Sequence, residues 1–137
     1  MLLQKYAVGF ALNRMQAALV REAIDLVESG VTDVNGVDAL IRDGLGLRWA
    51  LLGPFGVGHC NADGGLREYY AKYGSAYIGL MNALNQATPS FDDAMVDRLA
   101  TGTEKMEGGV KKIPQILAWR DRLVRELRTL KSGDPHP

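Results

Sequence analysis

The spacing of its apolar residues constrains the fold of this chain more than any other feature, because they recur every three or four positions. No segment shows the strict alternation of apolar and polar residues that is typical of a half-buried strand. The pattern therefore predicts an all-α protein without a β-sheet. It is clearest over residues 9–29 and 113–130, where the apolar positions include Leu12, Met15, Leu19, Ala23 and Leu26, and then Ile113, Ile116, Leu117, Leu123, Val124, Leu127 and Leu130.

The first of these helices is apolar on more than one side. Ala17, Ala18, Val20 and Ile24 widen the stripe beyond its main positions. A helix with such a wide apolar surface is typical of the centre of a domain or of an interface. We therefore expect a long, central first helix.

Glycine and proline divide the rest of the sequence into shorter helical segments. We expect Gly44 and Gly46 to end the second helix and Gly74 to separate two helices. Pro54 suits the first turn of a new helix, where its missing N–H costs nothing. The predicted segments are residues 34–43, 64–73, 75–86 and about 91–106.

Several of the predicted helix ends carry residues that are typical of caps. Gly30 follows the first helix, where a left-handed C-cap residue is common. Asp33 or Thr32 precedes the second helix, and either side chain can accept a hydrogen bond from its first turn. Ser90 is in the same position before the segment that starts near residue 91.

The chain has the size of one domain. It has 137 residues, of which 47% are hydrophobic and 23% are charged, so it is long enough to bury one core. We expect a compact helical domain over residues 1–132 and a frayed tail over residues 133–137.

Charge and cysteine content exclude several classes of function. Sixteen basic and sixteen acidic residues cancel, whereas proteins that bind nucleic acids or membrane surfaces usually carry a basic excess. Cys60 is the only cysteine, so an intrachain disulfide is impossible and a reducing compartment is the simplest location. The first sixteen residues lack the pattern of a signal peptide. We predict a cytoplasmic protein without a nucleic-acid or membrane partner.

The glycine-rich segment at residues 53–65, GPFGVGHCNADGG, does not fit a phosphate-binding loop. It contains neither G-x-G-x-x-G after a strand nor G-K-[ST]. The sequence therefore predicts no cofactor site in this chain for a dinucleotide or a triphosphate.

His59 and Cys60 lie next to each other in that segment, with Asp63 nearby. These are too few ligands for a stable metal site. Adjacent side chains on a helix point about 100° apart, so His59 is poorly placed to act as a base for Cys60. The simpler interpretation is a helix that packs beside a pocket or a subunit contact, with Cys60 as an ordinary thiol. His59, Cys60 and Asn61 remain possible pocket residues.

Four segments together resemble a known family. G-F-x-x-N-R followed by G-P-F resembles the C-terminal domain of the 3-hydroxyacyl-CoA dehydrogenases. G-L-G-x-R and a late W-R-D resemble the lambda-crystallin or L-gulonate 3-dehydrogenase branch in particular. The resemblance implies a multi-helix fold like the C-terminal domain of 6-phosphogluconate dehydrogenase. The segments are residues 9–16 (GFALNRMQ), 44–50 (GLGLRWA), 53–55 (GPF) and 119–121 (WRD).

The resemblance also implies that two domains have different roles in the full-length enzyme. Full-length members carry an N-terminal Rossmann domain with the NAD site and a catalytic His–Glu pair, for which this chain has no counterpart. The helical domain encloses the substrate and supplies most of the dimer contact. By this resemblance Asn13 positions the substrate and the catalytic histidine, and Arg48 binds the acidic end of the substrate.

Each of these two residues also has a simpler interpretation. An amide such as that of Asn13 can orient a hydroxyl or an imidazole, but it can equally cap a helix start. The Arg48 guanidinium matches a carboxylate in two parallel hydrogen bonds, but it can equally form a surface or interface salt bridge. Residues 56–60 (GVGHC) depart from the family, which usually has an acidic or polar pair there.

Three functions remain open. The chain is the helical half of an NAD-dependent 3-hydroxy-acid dehydrogenase, acting on a hydroxy acid or an acyl-CoA and joined to a Rossmann-domain subunit or half. Alternatively, it is a reused stand-alone domain that binds a small acid or acyl-CoA, or that transfers a proton without NAD. In the third case it is only a dimerisation module. In all three we expect a homodimer with the first helices near the two-fold axis, because the first and last helices carry more apolar surface than a small monomer can hide.

Overall fold

A computed structural model describes residues 5, 8–84 and 86–133 of the chain. Those residues form six α-helices, a π-helical turn and a short 3-10 turn, without any strand. The predicted all-α class is confirmed. The helices are α1 (Phe10–Glu28), α2 (Val34–Ala39), α3 (Gly46–Cys60), α4 (Gly65–Ala83), α5 (Asp93–Glu107) and α6 (Ile113–Gly133).

Two predicted caps are confirmed. Gly30 has φ 73°, and its N–H and that of Val31 bond back to carbonyls in the last turn of α1, as in a Schellman motif. Asp33 begins α2, where its Oδ1 accepts a hydrogen bond from the N–H of Gly36 at 2.8 Å. The loop between α1 and α2 is therefore fixed at both of its ends.

The predicted break at Gly44 and Gly46 is wrong. The chain continues from α2 through a π-helical turn at Leu40–Leu45 directly into α3. The N–H of Gly46 donates to the carbonyl of Ile41, five residues earlier. A Cβ on Gly46 would lie 2.5 Å from that carbonyl oxygen. Glycine here permits the wider turn instead of ending the helix.

The predicted separation at Gly74 is also wrong, because α4 runs through it without interruption. A glycine inside a helix costs about 1 kcal/mol relative to alanine. The other residues of this 19-residue helix outweigh that cost. Residues 64–73 and 75–86, predicted as two helices, mostly form one helix.

The start of α5 differs from the prediction by two residues. The N-cap is Asp92 and not Ser90, because the Oδ1 atom of Asp92 accepts the N–H of Met95 at 2.9 Å. The hydroxyl of Ser90 donates to the other carboxylate oxygen at 2.9 Å. Ser90 thus supports the cap without being the cap.

Pro54 begins a new helical segment as predicted. Gly53 has φ 72° and ψ 172°, which interrupts α3 in its middle. Since proline has no N–H, the carbonyl of Ala50 loses the donor that an unbroken helix would give it. The ammonium of Lys131, in the last turn of α6, donates to that carbonyl instead. This bond joins the end of α6 to the kink in α3.

The core is small and lies between the second half of α1, α2 and α5. Its four buried apolar side chains are those of Ile24, Val27, Val37 and Met95. A second contact joins α3 to α4. There, a Cβ on Gly58 would lie 3.1 Å from the Leu66 side chain.

One chain alone leaves much more surface exposed than the expected compact domain. Its accessible area is 11038 Å², whereas a compact monomer of 14.9 kDa exposes about 7,000 Å². The first half of α1 contains no buried residue, and its Leu12 side chain is 72% exposed. The sequence predicted that α1 is buried on more than one side. Within this chain, the first half of the helix is not buried. In α6, which ends at Gly133, no residue is buried; residues 134–137 of the predicted tail lie outside the described residues.

Candidate functional site

Asn13 lies in the first turns of α1 with an exposed side chain. It is not the N-cap residue of this helix, because that position is occupied by Gly9. Gly9 adopts φ 75°, and a Cβ there would lie 3.7 Å from the Cβ of Asn13. The capping interpretation of Asn13 therefore finds no support in the geometry.

Arg48 lies in the first turn of α3, directly after the π-helical turn, and its side chain is exposed. It forms no ion pair with the described part of the chain. By contrast, Arg42, Arg120 and Arg122 each pair with a nearby carboxylate. The guanidinium of Arg48 thus keeps its hydrogen-bond donors available for a group outside this chain.

The structure does not bring Asn13 and Arg48 together. The main packing partner of α1 is α2, whereas α3 packs on the π-helical turn and on α4. Neither side chain bonds to the other within the described residues. A site that uses both residues needs a further element to connect them.

His59 has a structural role at the junction of α3 and α4. Its Nδ1 atom accepts the N–H of Leu66 at 3.2 Å, which satisfies a donor in the first turn of α4. The imidazole lies over Gly65, where a Cβ would be 2.6 Å from Cε1. With Nδ1 occupied in this way, His59 fixes the α3–α4 corner, and no contact links it to the thiol of Cys60.

Cys60 and Asn61 end α3, and both are exposed. Asn61 is the C-cap residue, whose N–H donates to the carbonyl of Gly58 at 3.3 Å. Of the three possible pocket residues, Asn61 lines a groove with a volume of about 480 Å³. The other lining residues belong to α4, and they are Tyr69, Tyr73, Ala76, Tyr77 and Leu80.

The tyrosines of that groove pack against one another. The rings of Tyr69 and Tyr73 have centroids 5.2 Å apart. The hydroxyls of Tyr69 and Tyr77 share a hydrogen bond of 2.8 Å, which raises the pKa of Tyr69. Sequence reasoning did not single out this cluster, although its spacing of four residues on one helix is a readable signal.

A large groove lies between α2, α5 and the loop after α1, with a volume of about 1340 Å³. Charges of both signs line it, including Asp33, Arg42, Arg98, Lys105 and Glu107. It contains none of the residues that the sequence nominated. Its mixed charge gives no preference for an anion or a cation.

The described residues do not fit a nucleotide cofactor. A dinucleotide site places a glycine-rich turn between a strand and a helix, and the described ranges contain no strand. The glycines of the segment 53–65 have other roles, since Gly53 forms the kink and Gly58 and Gly65 lie under side chains. We therefore derive no step through NAD in this chain.

Within the described ranges, no group of three or more His, Cys, Asp or Glu side chains is arranged to hold a metal ion. No helix among these residues combines the length and apolar character needed to span a bilayer.

Comparison with known proteins gives a family match. Residues 9–112 match the family described as 3-hydroxyacyl-CoA dehydrogenase, C-terminal domain. This match includes α1 to α5 and stops before α6. It also includes Asn13, Arg48 and the segment 56–60.

Curated relatives extend the similarity. A lambda-crystallin homolog of Bos taurus is 36% identical over 128 residues, which cover 93% of this chain and 39% of that protein. A lambda-crystallin homolog of Homo sapiens is 34% identical over 136 residues, covering 96% and 41%. An L-carnitine dehydrogenase of Streptomyces griseus is 33% identical over 123 residues, covering 89% and 36%. The chain spans about two fifths of the length of these relatives.

Proposed function

Because the chain belongs to the 3-hydroxyacyl-CoA dehydrogenase family, through the C-terminal domain of that family, we propose that it is the helical half of an NAD-dependent 3-hydroxy-acid dehydrogenase. Its work is to enclose the substrate and to pair two copies of the enzyme. The observation that carries this proposal is the extent of the match: it covers nearly all of this chain but only about two fifths of each relative.

Hydride transfer needs a nicotinamide and a base that takes the hydroxyl proton. In this proposal both come from a Rossmann half, as a further part of the same polypeptide or as a separate subunit. The helical half contributes side chains that close over the substrate. It is not competent for hydride transfer alone.

We assign the role of enclosing the substrate to two side chains, those of Asn13 and Arg48. Both are exposed, and neither is bonded to the described part of the chain. The amide of Asn13 orients the substrate and the catalytic imidazole of the other half. The guanidinium of Arg48 binds the carboxylate of the substrate through two parallel hydrogen bonds. The missing half is the element that brings the two residues into one site.

We propose a free hydroxy acid as the substrate, in preference to an acyl-CoA thioester. Relatives include L-carnitine dehydrogenases, and carnitine is a 3-hydroxy acid with a free carboxylate. A free carboxylate suits the guanidinium of Arg48 better than a thioester does, because only the carboxylate is charged. The location we propose is the cytoplasm, and the assembly is a homodimer with the α1 helices near the two-fold axis.

The altered segment 56–60 does not favour the alternative of a reused domain that works without NAD. Gly58 lies against Leu66 and Tyr69, and His59 caps α4. Gly58 and His59 are therefore explained by the packing of α3 on α4. A separate chemistry is not needed to account for them.

The test of Arg48 is a thermal-shift screen with small 3-hydroxy carboxylates on the chain mixed with the Rossmann half of a lambda-crystallin homolog, because the proposed site needs both halves. Bound carboxylate should raise the Tm of the chain, since a ligand that binds only the folded state stabilises it. Arg48→Ala should remove most of that shift because it removes the fork that holds the anion. The matched control is Arg125→Ala on α6, which should keep the full shift. An equal shift in the Arg48 variant would count against the assignment.

NADH fluorescence tests whether cofactor binding and hydride transfer depend on the Rossmann half. The chain alone should leave the fluorescence of NADH unchanged at micromolar protein. The chain mixed with the Rossmann half of a lambda-crystallin homolog should reduce NAD in the presence of a hydroxy acid. Turnover by the isolated chain would overturn the proposed function.

A further inference from the structure

A groove lies between the middle of α1 and the loop at residues 86–92, apart from the residues assigned to the substrate. Its volume is about 430 Å³, which is within the range of small-molecule sites. Neither Asn13 nor Arg48 lines it. We call it the arginine groove, and its main lining residues are Arg14, Ala17, Ala18 and Arg21 of α1 and Pro89 and Phe91 of the loop.

The four α1 residues of the arginine groove follow the spacing of one helix face. Positions 14, 17, 18 and 21 are related by steps of three and four residues, so their side chains lie on the same side of α1. An arginine lies at each end of this set, and two alanines lie between them. Because an alanine side chain ends at Cβ, an occupant can approach the helix closely in the middle while its two ends meet guanidinium groups.

Both arginines of the groove lack a partner among the described residues. Neither guanidinium forms an ion pair or a hydrogen bond there, whereas Arg42, Arg120 and Arg122 each pair with a carboxylate. The Nε atom of Arg21 is buried and has no hydrogen-bond acceptor. A buried N–H group without an acceptor is costly. An oxyanion bound to the Arg21 guanidinium offsets that cost, because it pairs the donors that the chain leaves unpaired.

The opposite wall of the groove is apolar. Pro89 is half-buried, and Phe91 is 54% exposed. Phe91 has φ 51°, a backbone conformation that is rare for a bulky residue. Strained backbone of this kind is concentrated at functional sites, and here it holds an aromatic ring beside the groove. This wall favours an occupant with an apolar body.

Acidic residues mark one end of the arginine groove. Asp25 and Glu28 line a smaller neighbouring groove of about 110 Å³, which Arg21 also lines. Like charges repel, so an anion is disfavoured in that direction. An anionic occupant therefore extends from Arg21 towards Arg14, over the two alanines, and not towards the C-terminus of α1.

The distance between the two arginines indicates the shape of the occupant. Seven residues at 1.5 Å per residue separate their Cα atoms by about 10 Å along the helix. An acid with one oxyanion group at each end pairs both guanidiniums without drawing either away from its end of the groove. Two guanidiniums balance the two charges of a dicarboxylate, whereas two phosphate groups carry about twice that charge.

We propose that the arginine groove is a second ligand site, which binds a linear dicarboxylic acid with an apolar chain between its two carboxylates. This site goes beyond the proposed function, since it uses neither Asn13 nor Arg48. Arg14 follows Asn13 in the sequence, but successive residues on a helix are rotated by about 100°. The two side chains therefore leave α1 in different directions.

The first experiment is isothermal titration calorimetry of the full chain with suberate and with octanoate. These two ligands have the same number of carbon atoms, and suberate carries one additional carboxylate. Suberate should bind with a Kd below about 1 mM and at least tenfold more tightly than octanoate, because only suberate can pair both arginines. Absence of suberate binding in this range, or equal affinity for the two ligands, would overturn the proposal.

The first pair of variants tests the two guanidiniums. Arg14→Gln and Arg21→Gln each remove one guanidinium, and glutamine suits a helix as well as arginine does. Each substitution should weaken suberate binding at least tenfold and remove most of the preference over octanoate. The matched control is Arg128→Gln on α6, which removes the same charge far from the groove and should leave both affinities unchanged. An equal loss in the control would show a general effect of net charge, and the proposal would then be wrong.

A second variant tests the groove without changing its charge. Ala18→Leu places a larger side chain between the two arginines and should weaken suberate binding at least tenfold. Ala71→Leu, at an exposed position of α4, is the matched control and should bind suberate like the wild type. Leucine is a strong helix former, and circular dichroism confirms that both variants remain helical. Unchanged binding by Ala18→Leu would mean that suberate lies elsewhere, against the proposal.

The chain mixed with the Rossmann half of a lambda-crystallin homolog separates this site from the substrate site. Suberate should still bind in the mixture, and Arg48→Ala should leave its affinity unchanged. Loss of suberate binding in either case would show that the groove is covered by the other half or that suberate uses the substrate site, and would overturn the proposal. The thermal shift with 3-hydroxy carboxylates depends on Arg48 and should persist in Arg21→Gln, so that either proposal can fail while the other stands.

Discussion

At the scale of single residues, three glycines are explained by what a side chain would meet. Gly46 allows the π-helical turn, and Gly65 makes room for the imidazole of His59. Gly102 lets α5 approach α2, since a Cβ there would lie 2.6 Å from Cγ2 of Val34. None of these roles is readable from the sequence, because each depends on a neighbour that only the folded chain provides.

Gly102→Ala should destabilise the protein by about 1–3 kcal/mol, the usual cost of overpacking. Val34 is β-branched and close-packed at its Cβ, so a change of rotamer does not remove the clash. Val34→Gly in the same chain should restore part of the loss, because it removes the Cβ that would lie 2.7 Å from the added atom. Gly79→Ala, where a Cβ meets nothing within 4 Å, should instead stabilise by up to about 1 kcal/mol. Urea denaturation measures the free energy of unfolding of all three variants, and equal effects of Gly102→Ala and Gly79→Ala would refute the explanation.

At the scale of elements, periodicity predicted where helices occur, and local chemistry decided where they end. The extents of α1 and α6 were predicted closely because their apolar spacing is long and regular. The boundaries at Gly44 and Gly74 were wrong because glycine weakens a helix by only about 1 kcal/mol and neighbouring turns compensate. Ser90 was predicted as the cap because it precedes the helical segment and suits that position, but Asp92, which suits it equally, directly precedes the first helical residue.

The cap of α5 should make stability depend on pH in one direction. The N–H of Met95, and then the hydroxyl of Ser90, lower the pKa of Asp92 below its ordinary value of 3.8. A carboxyl with a lowered folded pKa stabilises the fold fully above its ordinary pKa and loses that contribution as pH falls through the lower value. Asp92→Asn keeps an acceptor for Met95 but does not titrate.

Thermal unfolding, followed by circular dichroism between pH 2 and pH 6, tests this dependence of stability on the titration of Asp92. The Tm of the wild type should fall more steeply below about pH 4 than that of Asp92→Asn, and the two curves should converge at the acid end. Asp97→Asn, on the exposed side of the same helix, serves as the control and should follow the wild type. If the Tm of the wild type and the Tm of Asp92→Asn fall with pH at the same rate, the Asp92 carboxylate does not contribute to the pH dependence of stability.

At the scale of the whole molecule, the fold class and the family were accessible from the sequence, but the site was not. Asn13 and Arg48 were assigned by resemblance, and the chain leaves them on helices that do not pack together. In the proposed function the site spans two halves, so one half alone does not assemble it. Within the described residues, the compact core expected of 137 residues is reduced to four buried apolar side chains.

Stability should therefore depend on protein concentration. A dimer that unfolds to monomers has a Tm that rises as the concentration is raised, by mass action. We expect a rise of several degrees between about 1 and 100 μM, measured by differential scanning calorimetry or dye-based melting. A Tm independent of concentration would mean that one chain is stable without a second copy.

The kink at Gly53 and Pro54 has a consequence for the order of folding. Lys131 and Ala50 are 81 residues apart in the sequence, and bringing such distant groups together carries a loop-closure entropy that local turns do not. The acceptor at Ala50 is free only because an imino acid follows four residues later. We therefore expect the last turn of α6 to attach late in folding, to a carbonyl oxygen that would accept an N–H of its own helix if α3 were unbroken.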